Sequence, residues 1–284
     1  SNNRSATKVV DGMPTSDGAG VNLTRLIGMP GLDMLDPFLL LDSIRSDDPN
    51  DYIAGFPPHP HRGFETVTYI LAGKMRHKDS TGREGVIEAG GVQWMTAGSG
   101  IIHSEMPEQE EGLLYGFQLW VNLPATLKMT APEYREYPAE DIATETRDAG
   151  VTVRVITGTT SQGTQGPVRN VVTEPLFIDV DLPAGARFTE DLPESHGAFI
   201  HLVKGQVSVE GPAGGAEVTA GALAVLEDGQ QVSLVAGEEG ARLLLVAGRR
   251  LDEPVARYGP FVMNTQAELM QAAADYQSGR FVSQ

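Results

Sequence analysis

The 284-residue sequence predicts an all-β protein with two similar β-barrels in tandem and one short helix near the C-terminus. Short runs of aromatic, β-branched and other apolar residues recur through most of the chain, and glycine-rich turns separate them. Part of this strand pattern occurs twice, whereas helical periodicity is confined to the last part of the chain. The 33 glycines and 18 prolines agree with a turn-rich, all-β chain.

The first barrel is predicted from closely spaced strands in the N-terminal half. Residues 64–71, Phe-Glu-Thr-Val-Thr-Tyr-Ile-Leu, have the composition of a strand, and Ala-Gly-Lys at 72–74 turns the chain. Further short strands are predicted at 86–87, 92–95, 101–102 and 113–121. Such close spacing is typical of a sandwich or a barrel and not of a βαβ fold.

A region rich in proline and charged residues, 124–150, predicts an irregular linker with one short helix. Strands resume after the linker, and they are predicted at 151–156, 176–182, 199–203, 207–209, 222–226 and 243–246. A helix is predicted at 267–276, with Thr265 as its N-cap, Glu268 completing a capping box and Gly279 just past its end.

A weak internal repeat supports two copies of one barrel. Thr-Tyr-Ile-Leu-Ala-Gly-Lys-Met at 68–75 resembles Ile-His-Leu-Val-Lys-Gly-Gln-Val at 200–207, and Gly91 and Gly221 each begin a later strand. We therefore expect an N-terminal domain over residues 1–140 and a C-terminal domain over residues 141–284, which ends in the helix.

The composition excludes several classes of function. The chain has 21 Lys and Arg against 38 Asp and Glu, and the resulting net charge of −17 disfavours direct binding to nucleic acid or to anionic lipid. It has no cysteine, which excludes disulfides, thiolate metal sites and cysteine nucleophiles. No apolar run approaches the roughly 20 residues of a membrane span, and residues 1–10 do not resemble a signal peptide. We therefore expect a cytoplasmic protein without a membrane segment.

Two of the six histidines form a short motif, His59-Pro60-His61. In an extended chain, residues two apart point to the same side, so both imidazoles would project together. Pro58 and Pro60 favour extended backbone at this motif. A stiff, extended His-x-His of this kind is suited to bind one metal ion through two imidazoles.

A second motif, His103-Ser104-Glu105, has the same spacing and follows a turn that Gly98 and Gly100 permit. If the two motifs lie on neighbouring strands, three imidazoles and one carboxylate converge. Glu65 shares the parity of His59 and His61 and competes with Glu105 for the fourth position; the spacing alone does not choose between them. A single histidine on a strand is usually structural, but two clustered pairs favour a metal site.

Three imidazoles and a carboxylate without thiolates suit iron, manganese, nickel, copper or zinc. Four protein ligands leave about two positions open on a six-coordinate metal, which is enough for a substrate oxygen and O₂. A structural zinc site would instead be closed by its four ligands.

Five stretches, distributed over nearly the whole chain, have long and specific sequences. They are His-Pro-His-Arg-Gly-Phe-Glu-Thr-Val (59–67), Gln-Trp-Met-Thr-Ala-Gly-Ser-Gly-Ile-Ile-His-Ser-Glu-Met-Pro (93–107), Gln-Leu-Trp-Val-Asn-Leu-Pro (118–124), Asp-Pro-Phe-Leu-Leu-Leu-Asp (36–42) and Tyr-Gly-Pro-Phe-Val-Met-Asn-Thr (258–265). Together they closely resemble the pirin family of the cupin superfamily.

The resemblance implies two cupin (jelly-roll) barrels in tandem, a bicupin, with one iron(II) ion in the N-terminal barrel only. In the pirin pattern the metal ligands match His59, His61, His103 and Glu105. Glu65, which the general cupin motif would use, then becomes a candidate for the pocket. Nickel, manganese, copper or zinc remain alternatives to iron on the chemistry of these donors.

The resemblance also implies two alternative functions. Bacterial pirin-like proteins resemble quercetin 2,3-dioxygenases, which cleave the ring of a flavonol with O₂. Under this interpretation Glu105 is the expected base for the flavonol hydroxyl and Glu65 its alternate, while an apolar cavity for the aromatic substrate is expected at Phe56, Trp94, Met95 and Met106. Some pirins are instead linked to transcription factors or metabolic enzymes, which implies a metal-dependent regulatory protein that acts through protein partners.

Overall fold

The structure is a computed structural model that describes residues 2–282. β-Strands form most of its regular structure, and the helix α1 (Gln266–Gln277) follows them. The prediction of an all-β chain with a short C-terminal helix is confirmed. Within the described range, no helix combines the length and the apolar character needed to cross a membrane.

The chain divides into two compact units, and each unit takes segments from both halves of the sequence. The N-barrel unit comprises residues 13–28, 38–139 and 251–282, and the C-barrel unit comprises residues 2–12, 29–37 and 140–250. A change of unit falls at residue 140. The helix α1 belongs to the N-barrel unit, and the first described residues, 2–12, belong to the C-barrel unit.

Strands are numbered along the whole chain, so β1 (Lys8–Val10) is the first strand of the C-barrel unit. The N-barrel unit contains β2 (Met13–Asp17), β3 (Val21–Ile27), β4 (Phe38–Ser46), β5 (Phe56–His61), β6 (Phe64–Ala72), β7 (Lys74–Asp79), β8 (Glu84–Glu88), β9 (Val92–Thr96), β10 (Ile101–Pro107), β11 (Leu114–Asn122) and β12 (Glu133–Tyr137). One sheet has the order β12-β9-β6-β11-β4-β3-β2 and the other the order β5-β10-β7-β8. Ile44, Ile70, Met75 and Leu114 belong to one buried apolar cluster of this barrel.

The C-barrel unit contains, besides β1, the strands β13 (Ala143–Thr146), β14 (Thr152–Thr157), β15 (Leu176–Leu182), β16 (Arg187–Asp191), β17 (His196–Gly211), β18 (Gly214–Thr219), β19 (Leu223–Leu226) and β20 (Gln231–Arg249). Its sheet has the order β1-β19-β17-β20-β15-β14-β13, with β16 paired to β20 and β18 paired to β17. Alternate apolar residues of the long strands β17 and β20 face one extended core, for example Ala198, Ile200 and Leu202.

The predicted irregular linker contains two strands that the sequence did not reveal. The strand β12, Glu-Tyr-Arg-Glu-Tyr, pairs with β9 at the edge of a sheet, and β13 pairs with β14. One short 3₁₀ turn (Ala139–Asp141) lies between them, and residues 124–150 contain two further 3₁₀ turns and no α-helix. The strand β12 consists of three charged residues and two tyrosines. This composition does not predict a strand, because the strand is stabilised by its pairing with β9.

The C-terminal segment, which adds β21 (Ala256–Tyr258) and β22 (Phe261–Met263), packs against the N-barrel through α1. The predicted capping residues are confirmed: Thr265 Oγ1 accepts a hydrogen bond from the Glu268 amide at 3.2 Å, and Gly279 follows the helix with a φ of +76°. Phe261, Leu269 and Phe281 belong to one buried apolar cluster, and Ile102 of β10 packs against this cluster.

Arg62 connects this segment to the barrel. Its Nε donates to the Ser99 carbonyl at 2.6 Å, its Nη1 donates to Asp275 Oδ2 at 2.8 Å, and its guanidinium lies 4.6 Å from the ring centre of Phe281. The Arg62 side chain is 4% exposed. Asp275 is more exposed, at 21%, so the contribution of Arg62 comes from its hydrogen bond to Ser99 and its contact with Phe281 as well as from the ion pair.

We expect Arg62→Met to destabilise the docking of α1 and to lower the free energy of unfolding by about 2 to 3 kcal/mol. Urea unfolding and amide hydrogen exchange of residues 266–277 measure the two effects. Arg280→Met is the matched control, because Arg280 lies on the same segment and its Nε donates to the nearby, exposed Ser278. Equal stability of the two variants would contradict the anchoring role of Arg62.

Candidate metal centre

The strand β5 carries the first histidine motif in an extended backbone, and the strand β10 runs antiparallel beside it. His103 pairs directly with His59, and Ile101 pairs with His61. The two motifs therefore lie on neighbouring strands, which is the condition under which their spacing predicts that the side chains converge. A β-bulge follows His103 and shifts the register before Glu105, which pairs with Phe56.

The turn between β5 and β6 depends on Gly63. This residue has a φ of +94°, and a Cβ atom at its position would lie 1.9 Å from the Val262 carbonyl oxygen. Only glycine combines the left-handed backbone with such a close approach. The turn ends β5 after His61, so the alternation of side chains between the two faces starts afresh in β6.

The three imidazoles form one cluster. A ligand nitrogen from each of His59, His61 and His103 lies within 4.8 Å of the others. The ring centres are 4.7 Å apart for His59 and His61, 4.4 Å for His59 and His103, and 4.8 Å for His61 and His103. Three imidazoles at these distances converge on a volume of the size of one ion.

The hydrogen bonds of the cluster fit a metal ion. Within the described residues, neither ring nitrogen of His61 or His103 has a hydrogen-bond partner, although both side chains are buried. Such orphaned polar atoms are costly in a protein interior unless a ligand satisfies them. His59 differs, since its Nδ1 lies 2.8 Å from the Pro57 carbonyl and Nε2 is left for another ligand.

The electrostatics of the cluster also fit a metal ion. Burial lowers the pKa of His61 well below its ordinary value, and the neighbouring imidazoles of His103 and His59 add to this effect. Burial likewise lowers the pKa of His103 to about 4, against an opposing influence of the Glu105 carboxylate. Both imidazoles are therefore neutral at pH 7, which is the form that binds a metal.

Glu105 lies beside the three-histidine cluster. Its Oε1 is 3.6 Å from His103 Nε2 and accepts a hydrogen bond from Gln118 Nε2 at 2.8 Å. Its Oε2 accepts a hydrogen bond from Thr68 Oγ1 at 3.2 Å. The carboxylate is buried, and these two donors hold it next to the imidazoles.

Glu65 is not brought to the cluster. Thr68 points toward Glu105, and Glu65 lies three residues earlier on the same continuous strand, so it occupies the opposite face of β6. There Thr96 Oγ1 donates to Glu65 Oε2 at 2.5 Å, and burial raises the pKa of this carboxyl group. Because the turn at Gly63 breaks the strand, the parity that His59, His61 and Glu65 share in the sequence has no structural meaning.

A cavity of about 640 Å³ opens beside His59 and His61. Its volume is in the range of small-molecule sites. The residues that line it are Asp17, Gly18, Ala19, Arg25, Leu40, Phe56, Pro57, Pro58, His59, His61, Gln118, Trp120, Arg257, Gly259 and Pro260. Aromatic, imidazole, proline and charged side chains therefore all line this cavity.

Of the four predicted pocket residues, Phe56 lines this cavity and the other three lie elsewhere. Trp94 pairs with Val67 and shares the face of the sheet that carries Glu65, away from the histidines. Met95 packs with Ala97 and Ile101 in a separate buried cluster. Met106 packs against Gly55, where a Cβ atom would lie 2.6 Å from its Sδ.

Sequence reasoning missed Gln118, Trp120, Arg25 and Arg257 as residues of the cavity wall. Trp120 packs against two rings, with centre distances of 5.4 Å to His61 and 4.5 Å to Phe64. Gln118 and Trp120 belong to the stretch 118–124, and their spacing of two residues on β11 places both side chains on one face. That alternation was a usable signal, whereas nothing in the sequence places Arg257 near residue 120.

Comparison with known families decides the relationship of the chain. The sequence profile described as Pirin matches residues 20–121, and the profile described as Pirin C-terminal cupin domain matches residues 177–282. The chain belongs to the pirin family. The resemblance inferred from the five stretches is thus confirmed, and the two barrels of this pirin are cupin barrels.

Several relatives of this pirin match over nearly their whole length. A pirin-like protein of Caulobacter vibrioides is 54% identical over 280 residues, which cover 98% of this chain and 99% of the relative. The pirin of Mus musculus is 42% identical over 267 residues, covering 93% of this chain and 89% of the relative. A crystal structure of a quercetin 2,3-dioxygenase from Acinetobacter baumannii is 35% identical, has a TM-score of 0.88 and covers 99% of both chains.

We expect His61→Ala to abolish the binding of a transition-metal ion while the barrel stays folded. The variant removes one of the three converging imidazoles and therefore one metal ligand. The loss of stability from the small cavity is offset because a buried polar ring without hydrogen bonds is also removed. Elemental analysis after iron loading, together with the β-sheet circular dichroism signal, measures both outcomes. One equivalent of metal retained in the variant would contradict the site.

We expect the metal-free protein to lose stability as the pH falls from about 6.5 toward 4. In this window the unfolded chain binds a proton at His103, whereas the folded chain binds it only near its pKa of about 4. The contribution of His103 to the free energy of unfolding is therefore fully present above pH 6.5, and about 2 kcal/mol of this free energy is lost by pH 5. His103→Gln should show a shallower decline in urea unfolding at pH 7.5, 6 and 5, and an unchanged decline would contradict the assignment.

Proposed function

We propose that this pirin is a metal-dependent dioxygenase that cleaves the ring of a flavonol, such as quercetin, with O₂. The observation that carries the proposal is the cluster of His59, His61 and His103 at the wall of a cavity with the volume of a small-molecule site. The 35% identical structure from Acinetobacter baumannii, which is named a quercetin 2,3-dioxygenase, supports the choice of substrate class.

We propose that His59, His61, His103 and Glu105 hold one transition-metal ion and that this ion is iron(II). The orphaned nitrogens of His61 and His103 and the adjacent carboxylate support this assignment. When bound, such an ion supplies Lewis-acid and redox chemistry at the wall of the cavity. Nickel, manganese, copper and zinc accept the same donors, so metal analysis of the protein from its natural host distinguishes them.

The side chains around the cluster would orient the substrate and move its proton. Phe56 and Trp120 offer apolar and aromatic surface to a flat ring system, and Arg257 lies 5.6 Å from the ring centre of Trp120. Glu105 is the proposed base for the flavonol hydroxyl, since it is the carboxylate beside the imidazoles. We assign no part in this step to Glu65, the alternate base, because it lies on the opposite face of β6.

We expect the iron-loaded protein to consume quercetin and O₂ in equal amounts and to release a depside and carbon monoxide. One molecule of each reactant supplies all the atoms of the two products. Oxygen uptake, absorbance of the flavonol and carbon monoxide detection measure the reaction, and His61→Ala loaded under the same conditions is the control. Turnover in that variant would contradict a metal-dependent reaction.

The same experiment tests the alternative of a regulatory protein that acts through partners. A protein that binds one metal ion per chain and consumes neither quercetin nor other flavonols would favour that alternative. A protein that turns over flavonols with its metal bound would support the dioxygenase.

A further inference from the structure

The Glu105 carboxylate is held by a short chain of hydrogen bonds that begins at the cavity wall. Trp120 Nε1 donates to Gln118 Oε1 at 3.3 Å, and Gln118 Nε2 donates to Glu105 Oε1 at 2.8 Å. Thr68 Oγ1 donates to the second oxygen, Oε2. Each carboxylate oxygen therefore has one donor, and Gln118 serves the oxygen that faces His103.

Gln118 and its partners occupy one face of the sheet by the alternation of the strands. Gln118 and Trp120 are two residues apart on β11, and Gln118 pairs directly with Thr68 of β6. Both donors to Glu105 thus come from adjacent positions on one sheet, while Glu105 comes from the opposite sheet through β10. Gln118 bridges the two sheets of the barrel at the metal centre.

The chemistry of the two neighbours fixes the orientation of the Gln118 amide. An indole N–H is only a donor, so it requires the amide oxygen. An ionised carboxylate is only an acceptor, so it requires the amide nitrogen. The two requirements agree, and a flipped amide would break both hydrogen bonds at once.

We propose that Gln118 is the positioning residue of Glu105 and that Trp120 locks the Gln118 amide in the orientation that donates to Glu105 Oε1. This inference rests on the proposed role of Glu105 as a metal ligand. Partners that orient a ligating side chain commonly contribute 10- to 100-fold to metal affinity. Gln118 and Trp120 also line the cavity, so a ligand bound there contacts the same chain of hydrogen bonds.

The test measures the affinity for Co(II) and its visible absorption spectrum in the full-length protein. We expect Gln118→Leu to raise the Kd for Co(II) about 10-fold and to change the absorption bands, because Glu105 loses its donor on Oε1. Trp120→Phe keeps an aromatic ring but removes the N–H, and we expect a roughly 3-fold increase in Kd because the amide is free to flip. This second variant decides the matter if Gln118→Leu does not fold.

Gln93→Leu is the matched control. Gln93 is also buried, and it lies on β9, the strand that pairs with the other edge of β6. Gln93 and Gln118 are therefore both cross-strand neighbours of Thr68. We expect the Kd and the Co(II) spectrum of Gln93→Leu to match those of the wild type, since the side chains that donate to Glu105 among the described residues are Thr68 and Gln118 and not Gln93. A change equal to that of Gln118→Leu would overturn the specific role of Gln118.

A double-mutant cycle with Glu105→Gln separates positioning from general destabilisation. If Gln118 acts through the Glu105 carboxylate, Gln118→Leu should change the Kd by less than about 2-fold in the Glu105→Gln background. An undiminished effect in that background, or an unchanged Kd of both Gln118→Leu and Trp120→Phe in the wild-type background, would overturn the inference. If the wild-type protein binds no Co(II), the metal site itself is overturned. If the wild-type protein binds Co(II) and the variants bind it equally well, only the role of Gln118 is overturned.

Discussion

The antiparallel pairing of β5 with β10 is the constraint on which the metal centre depends. It sets His59 opposite His103 and leaves His61 two residues further along β5, on the same side. A shift of one residue in this register would turn the imidazoles of one strand away from those of the other. The proline-rich sequence of β5 stiffens one partner, and the bulge after His103 adjusts the position of Glu105 on the other.

The cluster of His59, His61 and His103 is locally destabilising, and contacts from the rest of the N-barrel unit hold it in place. The ring nitrogens of the buried His61 and His103 have no hydrogen-bond partner among residues 2–282, and the pKa values of both are lowered because the interior disfavours charge. The turn next to His61 is held from several sides. Lys128 Nζ donates to the Gly63 carbonyl at 2.8 Å and to the Val262 carbonyl at 2.9 Å, and Arg62 binds the C-terminal helix. The C-terminal segment thus belongs to the scaffold of the metal centre.

The placement of the centre at a cavity wall connects the fold to the proposed chemistry. His59 and His61 face a space bounded by Phe56 and Trp120, and Trp120 is linked through Gln118 to Glu105. One face of the strand β11 therefore serves both the proposed substrate site and the proposed metal ligand. One face can serve both sites because every second side chain of a strand points to the same side.

The sequence by itself determined the fold class, the family and the helix cap at Thr265, and it predicted extended backbone at His59 and His61. The fold class and the cap rest on local signals, namely alternation and turn or capping residues, whereas the family rests on five long stretches of specific sequence. Only the tertiary structure decided the location of Glu65, the residues of the cavity wall and the exchange of terminal segments between the two units. Each of these depends on contacts between residues far apart in the chain, such as Arg257 with Trp120, or on a break in a strand at Gly63, and no local pattern encodes which distant segments meet.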